Sequence, residues 1–149
     1  MKENDDMIKG CFFMTYEVTK DLLTGNLMID NEHRQLFDAI NKLLDACSKG
    51  QGRNQLTETM NFLQKYIDQH FSHEEQLQRQ TNYPDAARHK ELHDGYKRVV
   101  QEIAQELHQN GPTVALVGKV NANIANWLVL HIKREDVKVA AHIHAATAK

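Results

Sequence analysis

Helix breakers are scarce in this sequence, and they fall in clusters. The 149 residues hold seven glycines and only two prolines, so long stretches remain in which apolar side chains recur every three or four positions. The first stretch runs from about Asn26 or Asp30 to Lys49 and carries Ile29, Leu36, Phe37, Ile40, Leu43, Leu44 and Cys47. Gly50 and Gly52 are expected to end it. The second begins near Asn54, a residue suited to an N-cap, and carries Leu56, Met60, Leu63, Ile67, Phe71 and Leu77. It stops before Asn82, Tyr83 and Pro84. Pro84 fits the first turn of a third helix, with Asp85 favourable beside the positive helix end. That helix holds Leu92, Tyr96, Val99, Val100, Ile103 and Leu107. Asn110, Gly111 and Pro112 stop it, and Thr113 can cap a fourth helix bearing Leu116, Val117, Val120, Ile124, Trp127, Leu128 and Ile132.

Four helices of roughly 20 to 30 residues with short connections predict an all-α fold, an antiparallel bundle in up-down-up-down order. No segment alternates with period two, so no strands are expected. Residues 1–25 read differently: Phe12, Phe13, Tyr16, Leu22 and Leu23 are apolar without a long helical pattern. They are expected to form an N-terminal arm packed on a bundle spanning residues 26–145. Composition supports one core and narrows the function. The mean hydropathy is −0.60 and no run approaches the ~18 apolar residues of a spanning helix, which argues against a membrane span. With 18 basic against 20 acidic side chains, the chain lacks the positive excess of a nucleic-acid binder. Its start carries Glu3, Asp5 and Asp6 where a secretory signal has basic residues and an apolar run, so a cytoplasmic location is expected. Cys11 and Cys47 form no CxxC pair and are expected to be reduced thiols.

The nine histidines are the abnormal count, and their positions follow the helical period. His70 and Glu74 are four apart on the second helix, and His89 and His93 are four apart on the third. Four residues turn a helix by about 400°, so each pair projects from one face. Either pair alone recurs by chance. His33 lies beside Leu36 and Phe37, however, and His131 follows Trp127 by one turn, so every helix aims an imidazole inward. Buried imidazoles and a buried Glu74 are costly without partners, and a metal centre would satisfy them together. Five imidazoles exceed what one tetrahedral zinc can use. Imidazole with carboxylate suits iron, zinc or copper. Two octahedral ions offer about twelve positions; five imidazoles, two bridging carboxylates and a shared oxo or hydroxo group fill about eleven and leave one free. The second carboxylate follows His131, and ideal helical geometry selects Glu135, four residues on. No glutamate has a histidine three residues later, unlike ferritin-like di-iron bundles, and there is no HExxH.

The order His33, His70-x3-Glu74, His89-x3-His93, His131-x4-Asp136 resembles the hemerythrins, in particular the bacterial single-domain members. The flanks agree: Thr24-Gly25-Asn26, Ile29-Asp30-Asn31-Glu32-His33, His70-Phe71 with Glu74-Glu75, Tyr83-Pro84, and Trp127 four before His131. The likeness covers about residues 12 to 140. It implies a four-helix bundle with two non-haem iron ions, an oxo or hydroxo bridge, and O2 as ligand. It also implies His33, His70, His89, His93 and His131 as terminal ligands and Glu74 and Asp136 as bridging carboxylates. His89, His93 and His131 would hold one iron; His33 and His70 would hold the other, which keeps the open position. Choosing Asp136 over Glu135 requires the helix to adjust locally, or two adjoining faces to touch the cluster. Gln78 stands where bacterial members often carry methionine, and is expected to be peripheral. Phe37, Phe71, Trp127 and Leu128 read as core and also resemble the family's apolar O2 pocket. His73 could reach the site rim, although a solvated face is the expectation; His108, His142 and His144 match no ligand position.

The resemblance implies reversible O2 binding for storage or delivery, with small anions such as azide as alternative ligands, and no enzyme activity. Sensing of O2, redox state or iron is an alternative. Family members are often fused to output domains, and this chain is expected to need a partner protein for such a role. A di-iron peroxidase or nitric oxide-consuming activity is the other.

Overall fold

The structure, a computed structural model, describes residues 16–148. Those residues form an antiparallel four-helix bundle, and no strand occurs among them. Helix α1 spans Leu27–Ser48, α2 Gly52–Gln80 and α3 Ala86–Asn110. The fourth rod is assembled from α4 (Val114–Lys119), a π turn (Val120–Ala125), α5 (Asn126–His131), a second π turn (Ile132–Asp136) and α6 (Val137–Thr147). Connections at 49–51, 81–85 and 111–113 are too short for anything but reversal. No helix among the described residues is long and apolar enough to cross a membrane.

Two helix starts follow the side-chain capping rule. Asn26 accepts from Ile29 N at 3.1 Å and Thr113 accepts from Leu116 N at 3.1 Å, each satisfying an orphan donor of a first turn. Buried Asp30 fixes the approach to α1 by accepting from Thr24 N (2.9 Å), Thr24 Oγ1 (2.7 Å) and Gly25 N (3.2 Å). Gly50 and Gly111 sit at φ 73°, a left-handed conformation that a Cβ would strain, and they close α1 and α3.

Other boundaries differ from expectation. Gly52 does not end the first helix but opens α2, and Asn54 lies inside that helix. The turn between them is held by the backbone instead: Gln51 N donates to Ala46 O at 2.6 Å. Pro84 and Asp85 form a turn before α3, closed by Ala86 N donating to Tyr83 O at 3.2 Å, so Pro84 precedes the regular helix.

The core is one cluster contributed by all four rods, including Leu36, Phe37, Ile40, Leu63, Ile67, Phe71, Tyr96, Val100, Ile124 and Leu128. Of the residues ahead of α1, Tyr16, Val18 and Leu22 pack against it. Asn41 clamps Tyr16 by accepting from its N–H at 2.8 Å and donating to its carbonyl at 2.7 Å. Phe12, Phe13 and Cys11 lie outside the described residues. Tyr96 is fully buried, and its hydroxyl donates to the Ile124 carbonyl in the first π turn at 3.1 Å. A π turn frees carbonyls from the i→i+4 ladder, and this one has found a side-chain donor. Replacing Tyr96 by Phe should therefore cost about 1–3 kcal/mol, the penalty for a buried acceptor left unmet. Urea unfolding followed by circular dichroism should show the lower midpoint with an unchanged slope.

Candidate metal centre

All five candidate imidazoles and both carboxylates converge inside the bundle. His33 comes from α1, His70 and Glu74 from α2, His89 and His93 from α3, His131 from α5 and Asp136 from the second π turn. The most exposed of the seven, His131, keeps only 5% of its surface.

Their atoms form two groups. In one, ligand atoms of Glu74, His89, His93, His131 and Asp136 lie within 4.8 Å of one another; in the other, those of His33, His70, Glu74 and Asp136 do. The carboxylates belong to both, one oxygen toward each. Glu74 Oε1 is 2.6 Å from His89 Nε2 and 3.8 Å from His93 Nε2, while Oε2 is 3.5 Å from His70 Nε2. Asp136 Oδ1 is 3.0 Å from His131 Nε2 and 3.3 Å from His89 Nε2, while Oδ2 is 3.0 Å from His33 Nε2. His93 Nε2 and His131 Nε2 face each other at 3.2 Å.

Proximity here is not hydrogen bonding. His33 Nδ1 and Nε2, His70 Nε2, Glu74 Oε2, His89 Nδ1 and Nε2, and both Asp136 oxygens have no hydrogen-bond partner despite burial. Each such atom costs roughly 1–3 kcal/mol, so together they rival the ~5–15 kcal/mol that holds a domain folded. Nitrogen and oxygen lone pairs aimed at two common points are what a pair of cations would satisfy, so the residues fit a dinuclear centre.

The electrostatics show the same crowding. Burial and the Asp136 charge push the Glu74 carboxyl up to about 8. Burial alone would lower His89, yet its contacts with Asp136 and Glu74 push it up to about 9. His93 goes the other way, down to about 4, through burial and the neighbouring His89 and His131 charges. Burial would raise Asp136, but the His131 charge and contacts with His131, His33 and His89 hold it well below the usual carboxylate range.

The second π turn explains how Asp136 reaches the cluster. Five residues along an α-helix rotate a side chain about 140° away from His131. Here Val137 N–H reaches back to the Ile132 carbonyl, an i→i+5 step that widens the turn and returns Asp136 to the face of His131. Glu135, the choice of ideal helical geometry, faces away instead. Both of its oxygens accept from Arg88 on α3, each at 2.9 Å, and the Arg88 guanidinium holds the carboxyl below its ordinary value.

Several residues around the cluster were missed or misplaced by sequence reasoning. Glu32 is buried on α1, with Oε1 3.4 Å from His70 Nδ1 and Oε2 2.9 Å from His73 Nδ1. Glu75 stands 3.4 Å from His93 Nδ1. Such outer carboxylates fix ring orientation and leave Nε2 for the centre. Glu32 lies three after Ile29 and four before Leu36, on the apolar stripe, which was the signal. His73 is thus a half-exposed rim residue paired with Glu32 rather than a freely solvated one. Gln78, expected to be peripheral, is 1% exposed, and its amide donates to Glu74 Oε1 at 3.5 Å. Its place four residues after Glu74 dictates this. His142, which matches no ligand position, is half-buried, 2.7 Å from the Thr81 carbonyl, and its ring meets Tyr83 edge-on at 5.2 Å. His108 and His144 are exposed.

Aromatic rings brace the imidazoles. Phe71 stacks on His93 with centroids 3.7 Å apart, and Trp127 stacks between His131 (4.4 Å) and Tyr96 (4.0 Å). Phe37 and Leu128 lie in the same buried cluster without ring contacts to the imidazoles among the described pairs.

Known proteins resemble this chain over most of its length. Bacteriohemerythrin of Pseudomonas aeruginosa is 32% identical over 116 residues, covering 78% of this chain and 73% of the relative. Myohemerythrin of Theromyzon tessulatum is 33% identical over 113 residues, covering 74% and 78%. Bacteriohemerythrin of Campylobacter jejuni is 26% identical over 130 residues, covering 87% and 95%. The family described as the hemerythrin HHE cation binding domain matches residues 24–143, and the chain belongs to that family.

Proposed function

We propose that this protein binds O2 reversibly at a non-haem di-iron centre, as an oxygen carrier or store. The ligands are His89, His93 and His131 for one iron, His33 and His70 for the other, and Glu74 and Asp136 for both. The observation that carries this reading is the sharing of Glu74 and Asp136 between the two groups, one oxygen to each. A reduced iron pair bound by these residues would supply the electrons that hold O2. The group with only His33 and His70 offers one imidazole fewer, so an iron held there would be the one able to take up O2.

The chain's own residues set the rest. Five imidazoles, which bind a cation in the neutral form, against two carboxylates make a nitrogen-rich set, which would leave a bound iron pair net cationic and favour release of the guest over its consumption. Glu32 and Glu75 orient His70 and His93 from outside. Phe71, Trp127, Phe37 and Leu128 form the apolar wall that keeps bulk water and protons away, and small anions such as azide compete for the same position.

Iron analysis of the reconstituted protein should find about two irons per chain, from the count of two donor groups. Anaerobic reduction followed by O2 titration should give near-ultraviolet absorbance that appears with O2 and reverses on its removal. A bleach that cannot be reversed, or steady oxidation of added substrates, would defeat the carrier reading. Glu74→Ala removes an oxygen from both groups and should lower iron content below that of His33→Ala, which touches one group. Equal, full retention in both would oppose the assignment.

Metal loading should also release protons. His89 is pushed up to about 9 and Glu74 up to about 8 when only protein groups surround them, so the pair they form retains a proton at pH 7 that a cation must displace. Iron affinity therefore falls as pH drops below about 9, and calorimetry in buffers of different ionisation heat should register at least one proton released per chain at pH 7.

A further inference from the structure

Resting on the O2-binding reading, we infer that the guest enters along the seam between α2 and α3, where Phe71, Lys97 and Asp68 control its passage. A pocket of about 70 Å³ opens on this seam, lined by Gln64, Ile67, Asp68, Lys97, Val100 and Gln101. That exceeds the size of one diatomic molecule. Ile67 and Val100 are each 2% exposed and give it an apolar floor.

The site lies one helical turn further along the same seam. Phe71 follows Ile67 by four residues on α2, and His93 precedes Lys97 by four on α3. Ile67, Val100, Phe71 and Tyr96 belong to one buried cluster. Phe71 is the last side chain before the cluster of ligands: its centroid is 3.7 Å from His93, 5.7 Å from His70 and 6.4 Å from His131, so it borders both ligand groups.

Lys97 ties the mouth of the pocket to this barrier. Its ammonium bridges the helices to Asp68 at 3.1 Å and lies 5.9 Å from the centroid of Phe71. With the pair formed, α2 and α3 are pinned together over the pocket and the ring keeps its cation neighbour. Passage requires the ion pair to part and Phe71 to turn. A second and larger pocket, about 240 Å³ on the α1–α2 seam, is lined by Asp38, Lys42, Glu58 and Thr59 among others. Among the described pairs, none of its residues contacts Phe71 or an imidazole ring, whereas Lys97 ties the α2–α3 pocket to Phe71, so the larger pocket offers no comparable path to the ligands.

A barrier on the route changes rates in both directions and leaves equilibrium affinity alone. Lys97→Met keeps the apolar stem and loses the charge; Asp68→Asn loses the other partner. Stopped-flow mixing of the reduced, iron-loaded protein with O2, and of the oxygenated protein with an O2 scavenger, gives the two rate constants. Both should rise together by about 1.4- to 5-fold in each variant, the range by which a partly exposed ion pair biases an open–closed equilibrium. Kd should stay unchanged. Lys42→Met on the α1–α2 seam serves as the control and should keep both rates at the parent value. Unchanged rates in Lys97→Met and Asp68→Asn, or an equal rise in Lys42→Met, overturns the route. A second readout does not depend on O2 binding: crystals of the full chain under xenon should place the gas against Ile67 and Val100. Xenon bound only elsewhere, or not at all, overturns the route. Absence of O2 binding would defeat the function proposed above, while the xenon position would still decide the pathway.

Discussion

Seven polar groups share one dry volume at the middle of the bundle, and the desolvation of those groups dictates how the rods around them must be phased. An imidazole in that volume is tolerable only if its second nitrogen is directed outward to a partner or its first is directed inward to a cation. His70 and His93 follow the outward rule through Glu32 and Glu75. These outer carboxylates sit at the margin, where water still reaches them. Both stay below their ordinary values, although burial opposes it: contacts with His70 and His73 outweigh burial at Glu32, and the His93 contact leads at Glu75. The inner carboxylates have no such outlet. Glu74 and Asp136 stand opposed across the cluster, one pushed up and the other down, because two like charges that close cannot both be favoured.

The fourth rod shows what this phasing demands of the backbone. An unbroken α-helix through residues 114–147 would send Asp136 toward a neighbouring face, as its five-residue distance from His131 implies. Two π turns interrupt it instead. The second brings Asp136 into the cluster and leaves Glu135 to Arg88, so a single extra residue in the turn separates a group in the cluster from an ion pair. The first π turn presents the Ile124 carbonyl to the buried Tyr96 hydroxyl, and Tyr96 in turn backs Trp127, which backs His131. The two irregular turns are therefore connected through stacked rings, and both serve His131 and Asp136.

Much of this was legible in the sequence, and the exceptions have physical causes. The apolar stripes located the four rods because side-chain burial fixes the period, and the four-residue spacing of His70 with Glu74 and His89 with His93 put each pair on one face without further information. Position five after His131 was not readable from period alone, since a π turn is a tertiary compromise and leaves no composition signature. Gly52 and Asn54 misled because the α1–α2 turn is closed by backbone hydrogen bonds, which any residue but proline in place of Gln51 could make. Glu32 and Gln78 were hidden by their polarity, though both stand on apolar stripes, where a polar side chain persists only if a buried partner awaits it. His142 lies far along α6, and only the fold brings it to the Thr81 carbonyl.

The bracing is uneven between the two groups of donors, and this bears on which side can yield. His93 and His131 each carry a stacked ring, Phe71 and Trp127. His33 and His70 have no parallel stack among the described ring pairs; they meet each other edge-on at 4.8 Å, and Glu32 supports His70 from outside. Stacked rings resist sliding and rotation because close contact is lost over the whole face at once. The His89, His93 and His131 side is thus the stiffer frame, and rearrangement costs least at His33 and His70. Among the described ring pairs, Phe71 is the phenyl ring that borders both sides. Turning it aside removes the stack that steadies His93, so opening the α2–α3 seam and loosening the rigid frame are one motion, and the surface ion pair that restrains the first also restrains the second.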